Sequence, residues 1–252
     1  SQQAVPFSGR TGELQELNDF VTNDSSFSWW AVTGQAGAGK SRLALEFLGR
    51  LPGTWFGFFL NDQASITDVQ NFVPFANTVV IIDYVSGRES MTARMLWELA
   101  QLFQNGTYQL RVLLLERENS RKAGSWYAKL LQRFGRFDRQ KMKDAEYRGD
   151  RFLNLGDLQT EDVIRLIGSV CALHGLMPDQ QRDAMLCEAY GQKFEKLQFR
   201  PLFVQIFVEA WIENGCSFPR YDSFEDLLTH ILEREQERWL ELLQGDQRCC
   251  GV

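Results

Sequence analysis

Apolar positions follow two different rhythms along the chain. Up to about residue 156, short, mainly apolar runs alternate with stretches in which apolar residues recur every three or four positions. The runs are Trp29–Thr33, Trp55–Leu60, Thr78–Ile82, Leu110–Leu115 and Arg151–Leu155. Their length and β-branched or aromatic content predict strands. Trp55–Leu60 is apolar at every position and predicts a strand inside a sheet, covered on both faces. Helical spacing predicts helices over Glu13–Val21, from near Lys40 to about Leu51, over Ser65–Val73, Ser90–Phe103 and Trp126–Phe134. Ser65 is placed to cap the third of these, with Asp68 in capping-box position. Residues 135–150 are polar and mixed in charge and read as a solvated loop. Strands alternating with helices imply a parallel α/β sheet flanked by helices on both faces.

The rhythm changes after Gly156. Helical patterns cover Thr160–His174, Pro178–Tyr190, Pro201–Asn214 and Phe224–Leu243, and no strand pattern intervenes. Thr160 followed by Glu161 and Asp162 predicts a capped, acid-rich helix start, and Pro178 suits a first helical turn. The expected organisation is an α/β domain over 1–156 and a small all-helical domain over 157–252.

The join between the first strand and its helix carries the chemistry. Gly34-Gln35-Ala36-Gly37-Ala38-Gly39-Lys40-Ser41 fits G-x-x-x-x-G-K-[ST] between a predicted strand and a predicted helix. Glycines allow successive N–H groups to turn inward on an anion, and a helix start adds unpaired N–H groups and a positive dipole end. Lys40 is expected to reach the β- and γ-phosphates of a nucleotide, and the Ser41 hydroxyl to ligate Mg²⁺. Arg42 is counted with this phosphate-binding stretch. Asp83, ending a hydrophobic strand some forty residues on, suits a Mg²⁺ position beside Ser41. Arg117, just past the fourth strand, is a candidate γ-phosphate sensor. Lys40, Asp83 and Arg117 are therefore the candidate catalytic residues, and Ser41 and Asp83 the candidate metal ligands. Tyr84 stands where many such ATPases carry a second acid, so fast hydrolysis is not expected; Glu89, Glu116 and Glu118 are the possible substitute bases. No N-K-x-D guanine motif is present.

Composition narrows this only slightly. The 252 residues carry a net charge of −6, which argues against a nucleic-acid or anionic-lipid partner. No apolar run is long enough for a membrane span. Five cysteines without C-x-x-C spacing argue against a disulfide framework or a zinc site and fit a cytoplasmic setting. His174 and His230 read as ordinary helix residues. A start without Met and an end in Cys249-Cys250-Gly251-Val252 suggest a piece of a longer protein.

In their order along the chain, these motifs resemble the STAND class of P-loop ATPases, switch-like relatives of AAA+ and apoptotic-ATPase domains. Pro6-Phe7-Ser8-Gly9-Arg10-Thr11-Gly12-Glu13-Leu14 looks like the family's F-x-G-R-x-x-E-L signature, Gly34–Ser41 like Walker A, and Val79–Tyr84 like Walker B. Leu113–Arg117 resembles the strand ending in a sensor arginine, and Arg200-Pro201-Leu202 the G-x-P motif, with Arg200 in place of a small residue. The resemblance implies that Pro6, Phe7 and Arg10 lie near the base or ribose and that Pro201 touches the nucleotide from the helical domain. It also implies an ATP- or ADP-binding switch with Mg²⁺, further domains of the same chain and self-association. Two other classes stay open: a small-molecule phosphotransferase whose lid carries Arg117, Arg121 and Lys122, and a nucleotide-stabilised scaffold without turnover.

Overall fold

The computed structural model describes residues 5–104, 107–194 and 199–218, with Glu225, Asp226 and Thr229. The helix expected over Phe224–Leu243, His230, Cys249 and Cys250 lie outside the described residues, three positions of that helix excepted. Two compact units result: Arg10–Gly156, and residues from Asp157 onward together with the segment ending at Gly9.

The first unit runs α1 (Thr11–Val21), β1 (Phe27–Thr33), α2 (Lys40–Gly49), β2 (Trp55–Phe59), α3 (Ile66–Gln70), β3 (Asn77–Asp83), α4 (Glu89–Gln104), β4 (Leu110–Glu116), α5 (Trp126–Gln132), α6 (Arg136–Asp144) and β5 (Leu153–Asn154). The five strands form one parallel sheet in the order β2-β3-β4-β1-β5. Helical crossovers permit parallel pairing, because a tight turn cannot bring the chain back to the same end. In register, Thr33 pairs with Glu116 and Asp83 with Leu115, so β1, β3 and β4 end at one edge. Trp29, Ala31, Val80, Ile82, Val112 and Leu114 pack on one face against residues of α4 and α5. The alternate positions Trp30, Val32, Val79, Ile81, Leu113 and Leu115 are also buried. Both faces are therefore covered, as the β-branched runs require. The Ser65–Asp68 capping box starts α3 as expected.

Two expectations need correction. β2 is the edge strand of the sheet and is not covered on both faces: Phe56 and Phe59 are exposed by 42% and 36%. Phe58 packs against the main core, and the exposed Phe56 packs on other rings. Phe56 meets Phe58 and Phe75, and Phe58 meets Phe72, at centroid distances of 5.2–5.9 Å. An aromatic strand thus reads as fully buried from its sequence although part of its surface stays open to solvent.

The second correction concerns residues 135–150, which contain α6 and then pair with β1. The Trp29 N–H donates to the Ala145 carbonyl, the Tyr147 N–H donates to the Trp29 carbonyl, and the Trp29 indole donates to the Met142 carbonyl. Charges on the outer face of α6 hide the inward-facing Met142 and Glu146, both buried. Arg121 donates to both Glu146 carboxylate oxygens at 2.6 and 2.9 Å and to the Tyr127 hydroxyl, and lies over the Tyr127 and Phe152 rings. It fixes this segment to the sheet, so it is not placed as a mobile lid residue.

In the second unit α7 (Thr160–Leu173), α8 (Gln180–Lys193) and α9 (Pro201–Glu213) enclose a separate core of Val163, Ile167, Leu186, Tyr190, Val204 and Phe207, against which Val5 packs. Thr160 is the first helical residue rather than the cap; Gln159 holds that place without a side-chain bond. Pro178 precedes α8, whose cap is the Asp179 carboxylate accepting from the Arg182 N–H. The shorter Asx turn starts the helix later than the proline alone predicts. Pro201 does open α9.

Arg121→Ala should lower the unfolding free energy by about 3 kcal/mol, because Glu146 is left buried with only a phenol for a partner. Urea unfolding followed by circular dichroism measures this, and a loss below about 1 kcal/mol would show the pair to be dispensable.

A candidate phosphate site at the C-terminal edge of the sheet

The loop after β1 is tied to the sheet at its first residue, where the Gly34 N–H donates to the Glu116 carbonyl. Gly37 and Gly39 hold φ values of 79° and 90°, a region that side-chain-bearing residues rarely occupy. Gly39 is the N-cap of α2 and offers no side-chain acceptor to the first turn, which leaves that turn suited to an outside anion. Gln35, Ala36 and Ala38 complete the loop, and Arg42 lies in the first turn of α2. The Lys40 ammonium donates to the Gly34 and Gln35 carbonyls at 2.6 and 3.2 Å. Partial burial lowers its pKa, an effect opposed by Asp83 and assisted by Arg117.

Ser41 and Asp83 come together across the sheet edge: the Ser41 hydroxyl donates to a carboxylate oxygen of Asp83 at 2.8 Å. A hydroxyl and a carboxylate oxygen side by side suit Mg²⁺, which takes few protein ligands and keeps several waters beside substrate phosphates. The described residues hold no group of three His, Cys, Asp or Glu residues that could bind a metal. A two-oxygen Mg²⁺ position needs no such group.

Past Asp83 the chain turns sharply. Tyr84 adopts φ 56°, uncommon for an aromatic residue, and its N–H faces both the Asp83 side chain and the Leu115 carbonyl. The turn carries the exposed phenol to Arg117, whose guanidinium donates to the Tyr84 hydroxyl at 3.3 Å and lies 5.3 Å from the ring centroid. That hydrogen bond raises the Arg117 pKa above its already high ordinary value.

Arg10 sits in the left-handed region at the N-cap of α1, and its buried guanidinium bonds Glu13, the Ala38 carbonyl of the phosphate loop and the Gly156 carbonyl. It braces the loop from behind, a position that the motif alone did not reveal. Pro6 and Phe7 belong to the segment grouped with the helical unit, as does Pro201. Of the candidate bases, Glu118 is exposed and Glu89 opens α4. Glu116 is buried, and its carboxylate already accepts from the Ser86 and Arg117 N–H groups, both at 2.6 Å. The sequence signal for Glu116 is a charged residue closing the apolar run Val112–Leu115.

A sheet in this order with a glycine loop after β1 defines the class of fold, that of the P-loop NTPases. Solved structures agree. A Walker-type ATPase of Pyrococcus abyssi superposes with a TM-score of 0.50 at 13% identity, over 99% of this chain and 78% of that one. The Aeropyrum pernix ORC1 protein in complex with DNA gives 0.54 at 12% identity, over 96% and 69%. A Thermotoga maritima RuvB variant gives 0.50 at 12%, over 88% and 68%. No family model and no curated protein matches the sequence. Since one of these neighbours is a DNA complex, the likeness lends nothing to the expectation that nucleic acid is not a partner. Among the described residues no helix is long and apolar enough to cross a membrane.

Tyr84→Asn should change stability by less than about 0.5 kcal/mol, since asparagine tolerates the left-handed region and the ring is exposed. A loss of about 2 kcal/mol or more in thermal or urea unfolding would show the ring to be a packing anchor instead.

Proposed function

We propose that this chain is the nucleotide-binding and adjoining helical module of a STAND-type ATPase, an ATP/ADP switch with slow or no hydrolysis. The observation that carries the reading is the 2.8 Å contact between Ser41 and Asp83 beside the Gly34–Lys40 loop. It joins the two residues that would hold Mg²⁺, one from the start of α2 and one from the end of β3. In this reading the loop N–H groups hold the β-phosphate, and Lys40 exchanges its carbonyl partners for phosphate oxygens. Ser41 and Asp83 hold Mg²⁺, which when bound neutralises phosphate charge. Arg117 reports whether a γ-phosphate is present. Pro6, Phe7 and Pro201 contribute from the helical unit, and the two units take different arrangements with ATP and with ADP. Such a switch operates only through different affinities of the two nucleotides for the two arrangements. In a longer protein it would control self-association or an effector.

Slow turnover is supported by the local chemistry. Tyr84 supplies no base next to Asp83, and both oxygens of Glu116 are occupied by backbone N–H groups. A phosphotransferase lid is not favoured, because Arg121 is held by Glu146 and Tyr127.

Lys40→Ala should abolish Mg²⁺-ATP binding, with calorimetric affinity falling at least a hundredfold while the circular dichroism spectrum is kept. Unchanged affinity would remove the basis of this proposal. The identity of any copurifying nucleotide is a second check, with tightly held ADP as the expected resting state.

A further inference from the structure

Glu116 meets three loops at once. Its backbone carbonyl accepts from Gly34, the first residue of the phosphate loop. One carboxylate oxygen accepts from the N–H of Arg117 and the other from the N–H of Ser86, each at 2.6 Å. Ser86 lies in the loop that follows Asp83. The residue closes β4, the strand between β1 and β3, and is only 3% exposed. The segments that carry Lys40 and Ser41, Asp83, and Arg117 therefore share one anchoring residue.

We propose that Glu116 is a positioning residue for γ-phosphate discrimination, a carboxylate clamp that sets Arg117 and the Asp83 loop relative to the phosphate loop. The inference rests on the reading of Arg117 as the group that meets the γ-phosphate. The chemistry of the clamp is specific to a carboxylate. Its two donors approach different oxygens, and both donors are backbone N–H groups. A glutamine of the same shape has one acceptor oxygen, so its amide NH₂ would face an N–H and one arm of the clamp would open. Charge-assisted bonds to backbone N–H groups are also about twice as strong as neutral ones, which suits a buried anchor. The other end of Arg117 is held by the Tyr84 ring and hydroxyl. Glu116 thus fixes the backbone of Arg117, and Tyr84 receives its side chain.

The test compares the affinities of Mg²⁺-ADP and of Mg²⁺ with β,γ-imido-ATP by calorimetry. Glu116→Gln should reduce the preference for the triphosphate at least threefold while ADP affinity stays within twofold. Arg117→Ala should do the same, and the double variant should lose no more than Arg117→Ala alone. Glu116→Asp, which keeps two acceptor oxygens, should recover part of the preference. A role confined to holding the fold would weaken both nucleotides alike, or would persist in the Arg117→Ala background, and either result overturns the proposal. An unchanged preference in Glu116→Gln beside a lost one in Arg117→Ala overturns it while sparing the function proposed above. An unchanged preference in Arg117→Ala overturns the sensor role itself and this inference with it. Should Glu116→Gln fail to fold, Ser86→Pro removes one donor from an exposed position and should lower the same preference.

Discussion

The sheet depends on a central strand whose two charged residues are both buried and both satisfied by the backbone. All seven residues of β4 are buried. Near its start, Arg111 is fully buried and donates to the carbonyls of Phe20, Asn23, Ser25 and Leu110. Burial pushes its guanidinium down to about 10, still charged at neutral pH. At its end, Glu116 accepts from the N–H groups of Ser86 and Arg117. Burying an unpaired charge costs several kcal/mol unless hydrogen bonds replace its water. Here a cation gathers carbonyls at one end of the strand and an anion gathers N–H groups at the other. Among the described residues no buried side-chain nitrogen or oxygen lacks a hydrogen-bond partner.

Each charge organises the irregular backbone at its own edge. Arg111 closes the turn from α1 into β1 by taking up the carbonyls of Phe20, Asn23 and Ser25. Glu116 gathers the loops on which the candidate site depends. Parallel pairing puts the ends of β1, β3 and β4 at one edge, but β4 keeps the phosphate loop and Asp83 from being immediate neighbours. Ser41 reaches Asp83 because α2 starts directly above the sheet edge. Arg10 supports that start from behind through Ala38, so the loop is held at both Gly34 and Ala38 before any ligand arrives.

The sheet, its parallel sense and the helix–strand alternation could be read from periodicity, since β-branched runs have few other stable placements. The Ser65–Asp68 cap could be read because its chemistry is local. Strand order could not, so β2 was expected inside the sheet when it forms the edge. The 135–150 segment misled for a different reason. Its inward-facing residues, Met142 and Glu146, are few among many charges, and a buried glutamate paired to an arginine twenty-five residues away leaves no local pattern. The meeting of Lys40, Ser41 and Asp83 at one edge of the sheet was legible because motif spacing encodes it. Arg10 bracing Ala38 and Glu116 clamping two N–H groups were not, because both act on backbone atoms contributed by distant segments.

The same contrast separates a fixed part of the site from an exchangeable part. Glu116, Arg10 and the glycine loop are held by buried bonds to backbone atoms, which water does not easily replace. Lys40 and Arg117 are held differently. Lys40 rests on loop carbonyls that a phosphate oxygen can replace, and exposed Arg117 rests on a ring face and one long bond to a phenol. An anion offers both cations stronger, charge-assisted partners than they have without it. A site built this way can respond to a phosphate by moving two side chains on a rigid frame. On the function proposed above, response of that kind requires no base beside Asp83, and a tyrosine there would give Arg117 a resting partner in the absence of phosphate.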